Sequence, residues 1–499
     1  MTDGAGASRS ARLPLYLLLN VGFLGFVGVA ASIAAGGTWR ALYLVLLFAI
    51  CSSPVLVIRK PNDRYALFAA FCGIYFVSFG VVDLIALALG RSAPGRADAM
   101  SAAEVLIVLG GVAFVSGYLL AARRRVPSTA VAADWPFTSL VIVGLVLWSA
   151  GTAASWYWSI VLTVRSGEFH NDSGLAVTTG LMIGQYAQPL GLLIVAYAYT
   201  MSRSLLLSLV MTALAVFQVF LGFVSDTKGG AMLGGLMVIV TAVLVRGKIP
   251  KLWVLAGILF VVFAFPVFQA HRMYVVGDRG QSNAAAVANL GKDLDISIGS
   301  EQRAAAEHAQ SFFERSSVKG SVEMIVGKTG NGVAYQHGYT LIPLLTAFIP
   351  RIIWPDKLDV QTGELVNTEF HVTGDNVTYI SPSYIGELYW NFGWPGALLG
   401  MVLLGAIMGW INGLCDLSRQ VSVTRVLILG ITILQLGVRF ESSIAAIYSV
   451  WLRSIVGILI LHWLFARRGP APSASSWSLL PAAQPEPTFV GVRFPNLLR

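Results

Sequence analysis

Basic side chains and one carboxylate stand where apolar runs end, and their types suit one kind of chemistry. Arg272 follows a long apolar run in Ala270-His271-Arg272-Met273-Tyr274. Arg351 and Lys357 fall in Ile349-Pro350-Arg351-Ile352-Ile353-Trp354-Pro355-Asp356-Lys357. Glu387 falls in Ser383-Tyr384-Ile385-Gly386-Glu387-Leu388-Tyr389-Trp390-Asn391-Phe392-Gly393. Arg439 and Glu441 close another apolar run, Asp226 and Lys228 join two more, and Arg453 lies inside the last. Arginine offers a planar fork that matches phosphate oxygens, and lysine a point charge. Cations at a membrane interface therefore suit a polyprenyl diphosphate, whose tail lies in lipid and whose head lies at the surface. A carboxylate among them suits a general base toward a hydroxyl. The rings of Tyr389 and Trp390 suit the face of a sugar.

The same residues have plainer uses. Arg453 can snorkel to the interface, Arg272 and Lys357 can be ordinary charges at helix ends, and Glu387 can pair with an arginine. Five of the six histidines fall singly in extramembrane stretches, and no spacing matches a metal site. Asp293-Leu294-Asp295 is a common loop pattern, so no metal or other cofactor is expected.

The elements that must position these groups are membrane helices. Of 499 residues 56% are hydrophobic and 12% charged, and the mean hydropathy is +0.72. A soluble domain carries about a quarter charged residues. The bilayer must therefore solvate much of the chain, and backbone groups within it must be satisfied inside helices. The net charge of +9 is scattered between apolar segments and is no nucleic-acid footprint. Three cysteines, Cys51, Cys72 and Cys415, lie in or beside apolar segments and indicate no disulfide framework.

At about 20 residues per span, twelve candidates emerge: 14–34, 41–58, 65–89, 102–122, 137–161, 176–200, 205–223, 231–245, 252–270, 396–414, 424–440 and 447–466. Alternate connections hold sixteen Lys and Arg against seven in the short opposite ones. The richer side is predicted cytoplasmic, with both termini there. The expected layout is spans one to nine over 1–270, a large periplasmic loop over 271–395, spans ten to twelve over 396–468, and a disordered cytoplasmic tail over 469–499. Within the loop, 301–328 has helix-forming composition, and Pro343 and Pro350 turn 338–355 into a re-entrant or interfacial segment instead of a straight span.

From Gly338 to Asn412 the sequence resembles the O-antigen polymerase (Wzy-type) family, the oligosaccharide repeat unit polymerases. A Gly338-Tyr339 pair precedes an apolar run and Ile349 to Lys357, and some thirty residues on comes Gly386-Glu387-Leu388-Tyr389-Trp390-Asn391-Phe392-Gly393-Trp394-Pro395-Gly396. The resemblance implies a GT-C-like all-α polytopic protein of the bacterial inner membrane. The implied activity is that of an inverting, metal-independent glycosyltransferase acting at the periplasmic face on glycans carried by undecaprenyl diphosphate, alongside membrane lipid and a chain-length regulator protein. Loop arginines are expected, matched here by Arg351 and Arg272. Lys228-Gly229 stands where many relatives have Arg-Gly. The implied roles are base for Glu387, catalytic cation for Arg351, and diphosphate or glycan contacts for Arg272, Lys357, Arg439, Lys228, Tyr389 and Trp390.

Three other functions fit less well. An O-antigen ligase shares the chemistry, but the Ile-Pro-Arg and Gly-Glu-Leu-Tyr stretches favour a polymerase. Polyprenyl-phosphate-sugar transferases usually carry an acidic pair in the first outer loop, and Gly36-Gly37-Thr38-Trp39-Arg40 has none. A transporter or flippase is expected to show repeated halves and mid-membrane ionisable residues. The topology is checked by reporter fusions after Arg125 and after Gly330, which are expected in opposite compartments. Equal signals from both would overturn it.

Overall fold

The computed structural model describes residues 38–57, 66–81, 83–84, 100–122, 135–156, 175–202, 204–224, 228–248, 250–257, 318–346, 349, 353–354, 361–373, 379–417 and 421–466. The first predicted span, most of the ninth, the N-terminal part of the loop and the tail lie outside them. The regular elements among the described residues are all helical. In chain order they are α1 (Thr38–Ser52), α2 (Ala66–Phe76, running into a π-helical turn Val77–Val81), α3 (Ala102–Ala122), α4 (Phe137–Trp156), α5 (Leu175–Ser202), α6 (Leu205–Val224) and α7 (Lys228–Arg246). The loop supplies α8 (Val318–Lys328) and α9 (Thr362–Phe370). After it come α10 (Tyr384–Leu414), α11 (Val423–Thr432, running into a π-helical turn Ile433–Val438) and α12 (Ile444–Phe465).

Five of these, α3, α4, α6, α10 and α12, are long and apolar enough to cross a bilayer. Shorter apolar helices cover Trp39–Ser52, Ala66–Val81, Met232–Arg246 and Val423–Val438. The chain is a multi-pass helical membrane protein. Large apolar side chains such as Ile142, Val146, Leu209, Leu403 and Trp463 face outward, as lipid-facing residues do.

Lipid tails are as apolar as leucine, so helices associate by close packing. Here α3 and α10 approach through glycine. A Cβ at Gly117 would meet the Val402 carbonyl, and one at Gly405 the Phe114 carbonyl, so the two backbones touch. The same device joins α4 to α5, where Gly151 lies on Gln188 and Gly191 on Trp148. At that junction a buried polar trio ties three helices, as Gln188 Nε2 donates to Thr152 Oγ1 (3.0 Å) and faces Gln218 Oε1 (3.2 Å).

Residues that the charge bias assigns to one side share one end of the bundle. Arg40 reaches Asp83 (3.9 Å), and Lys319 of α8 reaches Asp83 and Glu104 (2.6 Å each). From the same helix Val322 and Ile325 lie on Gly386, three residues past Ser383, whose N–H donates to the Glu441 carbonyl. At the opposite end Leu67 N–H donates to Asn412 Oδ1, and Arg246 donates to the Thr200 carbonyl.

Gly405→Leu is expected to destabilise the protein by at least about 1–3 kcal/mol through overpacking, while Leu403→Ala on the exposed face stays within about 0.5 kcal/mol. Thermal unfolding in detergent checks this. Equal melting temperatures for the two variants would show that the α3–α10 contact does not hold the bundle together.

Candidate functional site

The end of the bundle that carries Ser383, Lys319 and Glu441 is organised by a break in α10. Gly393 adopts φ 64° and ψ −156° inside the helix, and Pro395 follows it. A helical Trp394 N–H would normally reach the Trp390 carbonyl, and residue 395 would reach Asn391. The break removes the first bond, and proline has no N–H for the second. Both freed carbonyls need donors. The loop supplies them: Gln336 N–H donates to Trp390 O (3.0 Å) and His337 N–H to Asn391 O (3.1 Å). The Asn391 side chain completes the joint, accepting from Gly338 N–H (2.8 Å) and donating to Thr340 Oγ1 (2.7 Å). Trp390 Nε1 donates to the Ala334 carbonyl (3.2 Å). The Gly338-Tyr339 and Gly386 to Gly396 stretches, far apart in sequence, thus form one unit.

Glu387 lies in the first turn of α10 and is fully buried. Ser383 caps that helix by accepting from Gly386 N–H (3.2 Å). Glu387 Oε2 accepts from Ile444 N–H (2.6 Å), the first residue of α12, so the carboxyl group sits at the N-terminus of that helix. Oε1 has no partner of normal hydrogen-bond geometry, although the Thr340 hydroxyl faces the carboxyl. Among the described residues no cation pairs with Glu387 within 4 Å. Beside it the turn 439–443 is pinned by Ser383 N–H on Glu441 O (2.8 Å) and Tyr384 N–H on Phe440 O (3.2 Å). Phe440 plugs into the core, its ring against those of Phe71, Tyr75, Phe79 and Tyr384 at 5.1–5.5 Å.

That pinned turn presents Arg439 and Glu441 at the surface. Arg439 has Tyr384, Glu441 and Tyr186 as electrostatic neighbours. Tyr186 of α5 also receives Arg453 of α12: the guanidinium donates to its hydroxyl (3.0 Å) and lies 5.5 Å from its ring centre, a cation–π geometry. Arg453 is exposed and sits nine residues inside α12, about 14 Å along the helix at 1.5 Å per residue. Arg453 thus contacts Tyr186 from within an apolar helix, and Arg439 has the same tyrosine as an electrostatic neighbour.

The other expected residues separate. Arg272, Arg351 and Lys357 lie outside the described residues. Lys228 opens α7, and its side chain is likewise outside the description. Tyr389 is buried, with its ring 6.0 Å from Trp394 and its hydroxyl facing Tyr335. Trp390 is fully buried, edge-on to Phe370 at 5.2 Å, which leaves it no open face for a sugar. Exposed aromatics at the same end include Tyr339, Phe392, Trp354 and Tyr379. Of the stretch 301–328 expected to be helical, α8 covers 318–328, and 301–317 lie outside the described residues.

Sequence reasoning passed over Lys319. Its ammonium reaches Asp83 and Glu104 at 2.6 Å each and Glu323 at 3.7 Å, and lies 4.7 Å from the ring centre of Tyr43. Burial pulls its pKa down, but the charges and hydrogen bonds of Asp83 and Glu104 more than offset this, and the net shift is upward. The signal was its register. Val318, Val322, Ile325 and Val326 are the buried stripe of α8, and Lys319 stands on its border. Asp83 and Glu104 gave no matching signal, because each lies near a different predicted span. Among the described residues no group of His, Cys, Asp or Glu could hold a metal ion. Compared with family models, curated proteins and solved structures, the chain matches none.

Lys319→Met removes the ammonium shared by buried Asp83 and partly buried Glu104, leaving among the described residues only Arg40, at 3.9 Å from Asp83. Breaking such a pair typically costs about 3–5 kcal/mol, and a clear fall in melting temperature in detergent is expected. Adding Asp83→Asn and Glu104→Gln should recover much of it. A single variant as stable as the parent would show that solvent already screens these charges.

Proposed function

We propose that this chain polymerises oligosaccharide repeat units carried on undecaprenyl diphosphate at the periplasmic face of a bacterial inner membrane. The observation that carries this reading is Arg453, held on Tyr186 inside the apolar helix α12, with Arg439 as an electrostatic neighbour of the same tyrosine. An ionisable side chain at that depth is costly, and a functional role is its first explanation. A lipid-linked diphosphate suits it, since the tail stays in lipid beside α12 while the head reaches Arg453 and Arg439. Support also comes from the stretch that resembles the repeat unit polymerases, which forms one hydrogen-bonded unit adjoining the turn that bears Arg439.

In this reading the protein is GT-C-like, with twelve spans and both termini cytoplasmic. The growing chain's diphosphate is already a stable leaving group and needs no acid. The arginines stabilise the charge that grows on it in the transition state, with Arg351, Arg272, Lys357 and Lys228 as further cations on the same side. The acceptor hydroxyl attacks the anomeric carbon from the opposite face and inverts it. Membrane lipid and a chain-length regulator protein are the expected partners.

The test is a purified, reconstituted protein supplied with lipid-linked repeat unit and read as a ladder of chain lengths. Arg439→Ala and Arg453→Ala are each expected to lower turnover about 100-fold, the loss typical of one transition-state donor. Arg453→Lys is expected to recover little, because an ammonium lacks the fork. A parent protein that forms no ladder, or an Arg453→Ala variant at near-parent rate, would overturn the reading.

A further inference from the structure

Resting on that reading, we infer that Tyr186 is a positioning residue, which holds the guanidinium of Arg453 toward the donor's diphosphate without neutralising it. The argument begins with what Arg453 would do alone. Its stem is long, and a cation within an apolar helix ordinarily snorkels to the membrane surface. Here it turns to the neighbouring helix instead. Nη1 donates to the Tyr186 hydroxyl (3.0 Å), and the guanidinium carbon lies 5.5 Å from the ring centre. The hydroxyl sets a direction and the ring a distance. Among the described residues no carboxylate comes within 4 Å of Arg453.

Register places this contact. Leu190 lies one turn beyond Tyr186 on α5, and Gly457 one turn beyond Arg453 on α12. A Cβ at Gly457 would stand 3.8 Å from Leu190 Cδ2, so the two helices meet there in apolar contact. The tyrosine and the arginine therefore face each other one turn before α5 and α12 close together. Toward the start of α12 the same face carries Ser449 and Ala446, whose side chains are too short to cover a guanidinium. Arg453 is exposed although it sits nine residues into an apolar helix. Arg439, at the end where α12 begins, has the same tyrosine among its electrostatic neighbours.

Tyrosine suits this task better than its alternatives. A glutamate at 186 could brace Arg453, but its charge would cancel the one that the diphosphate needs. A phenylalanine would offer the ring and no acceptor, so nothing would fix the plane of the fork. The phenol accepts a hydrogen bond and stays neutral. Arginine carries five donors in one rigid plane, so directing one of them directs the rest. A set direction is what bidentate contact with phosphate oxygens requires. In this assignment Tyr186 acts through Arg453 and not on the reacting atoms.

The reconstituted ladder assay tests it. Tyr186→Phe is expected to melt near the parent in detergent and to lower turnover about 10-fold, the scale of one hydrogen bond to a charged group. Added to Arg453→Ala, the same change is expected to cost no more than about twofold, because residues that act through one another are not additive. Tyr186→Glu is expected to lower turnover at least about 100-fold, since its carboxylate takes the guanidinium from the donor. A brace with no part in the reaction would leave the Glu variant as active as the Phe variant. Should Tyr186→Glu fail to fold, the double-variant comparison decides alone. A Tyr186→Phe protein within about twofold of the parent rate would overturn the assignment. So would a further loss of about 10-fold when Tyr186→Phe is added to Arg453→Ala, or a folded Tyr186→Glu protein more active than Tyr186→Phe. A parent that forms no ladder sinks the polymerase reading and this assignment together, whereas an active parent with a silent or additive Tyr186→Phe sinks this assignment alone.

Discussion

Two carbonyl oxygens govern this end of the molecule. Trp390 and Asn391 lose their intrahelical donors because Gly393 leaves the helical region and Pro395 has no N–H. In lipid or protein such groups cannot stay unpaired. The loop that satisfies them, through Gln336 and His337, is thereby held against α10. Its docking brings Thr340 to face the carboxyl of Glu387 and completes the enclosure of that residue. Enclosure in turn fixes the start of α12, and with it the turn that carries Arg439 and Glu441. A backbone deficit in one helix thus decides where the accessible charges stand.

Charge is buried here in two ways. Lys319 is held by full countercharges from two other elements, an arrangement that secures α8 to the bundle but costs desolvation of every partner. Glu387 is held by a backbone N–H at a helix start, with no cation within ion-pair distance among the described residues. The first arrangement joins elements distant in sequence. The second sets the local direction of a turn. Neither leaves its charge open to a ligand, and both are distinct from the Arg453–Tyr186 contact.

Much of this was readable from residue types and some was not. Apolar runs located the helices, and the uneven spread of Lys and Arg put Arg40 and Arg439 on one side. Gly393 and Pro395 were visible as a motif, but their effect was not, because the freed carbonyls find their donors across more than fifty residues of chain. The burial of Glu387 and Trp390 was hidden for the same reason. A glutamate among aromatics reads equally as an exposed base or as an enclosed cap, and only the position of Ile444 separates the two. Lys319 was legible as a polar residue on the border of an apolar stripe, but its partners were not, since pairing across three elements leaves no local pattern.

Depth explains why the two exposed arginines differ. Arg439 sits on a turn at the end of the bundle, where desolvation pulls its pKa down and the charges around it offset only part of that. Arg453 lies well inside α12 and needs partners for its donors at that depth. The structure gives it the hydroxyl and ring of Tyr186, which satisfy part of the guanidinium and leave the rest. Arginine has five donors in a fixed fork, and one phenol can accept from only one or two. A group held this way is oriented and still has directed N–H bonds to offer an anion. An additional carboxylate partner there would neutralise it and close the site. A tyrosine orients it without doing so, and this is why the proposed reading puts a ligand's charge between α5 and α12 and not at the better-paired Lys319.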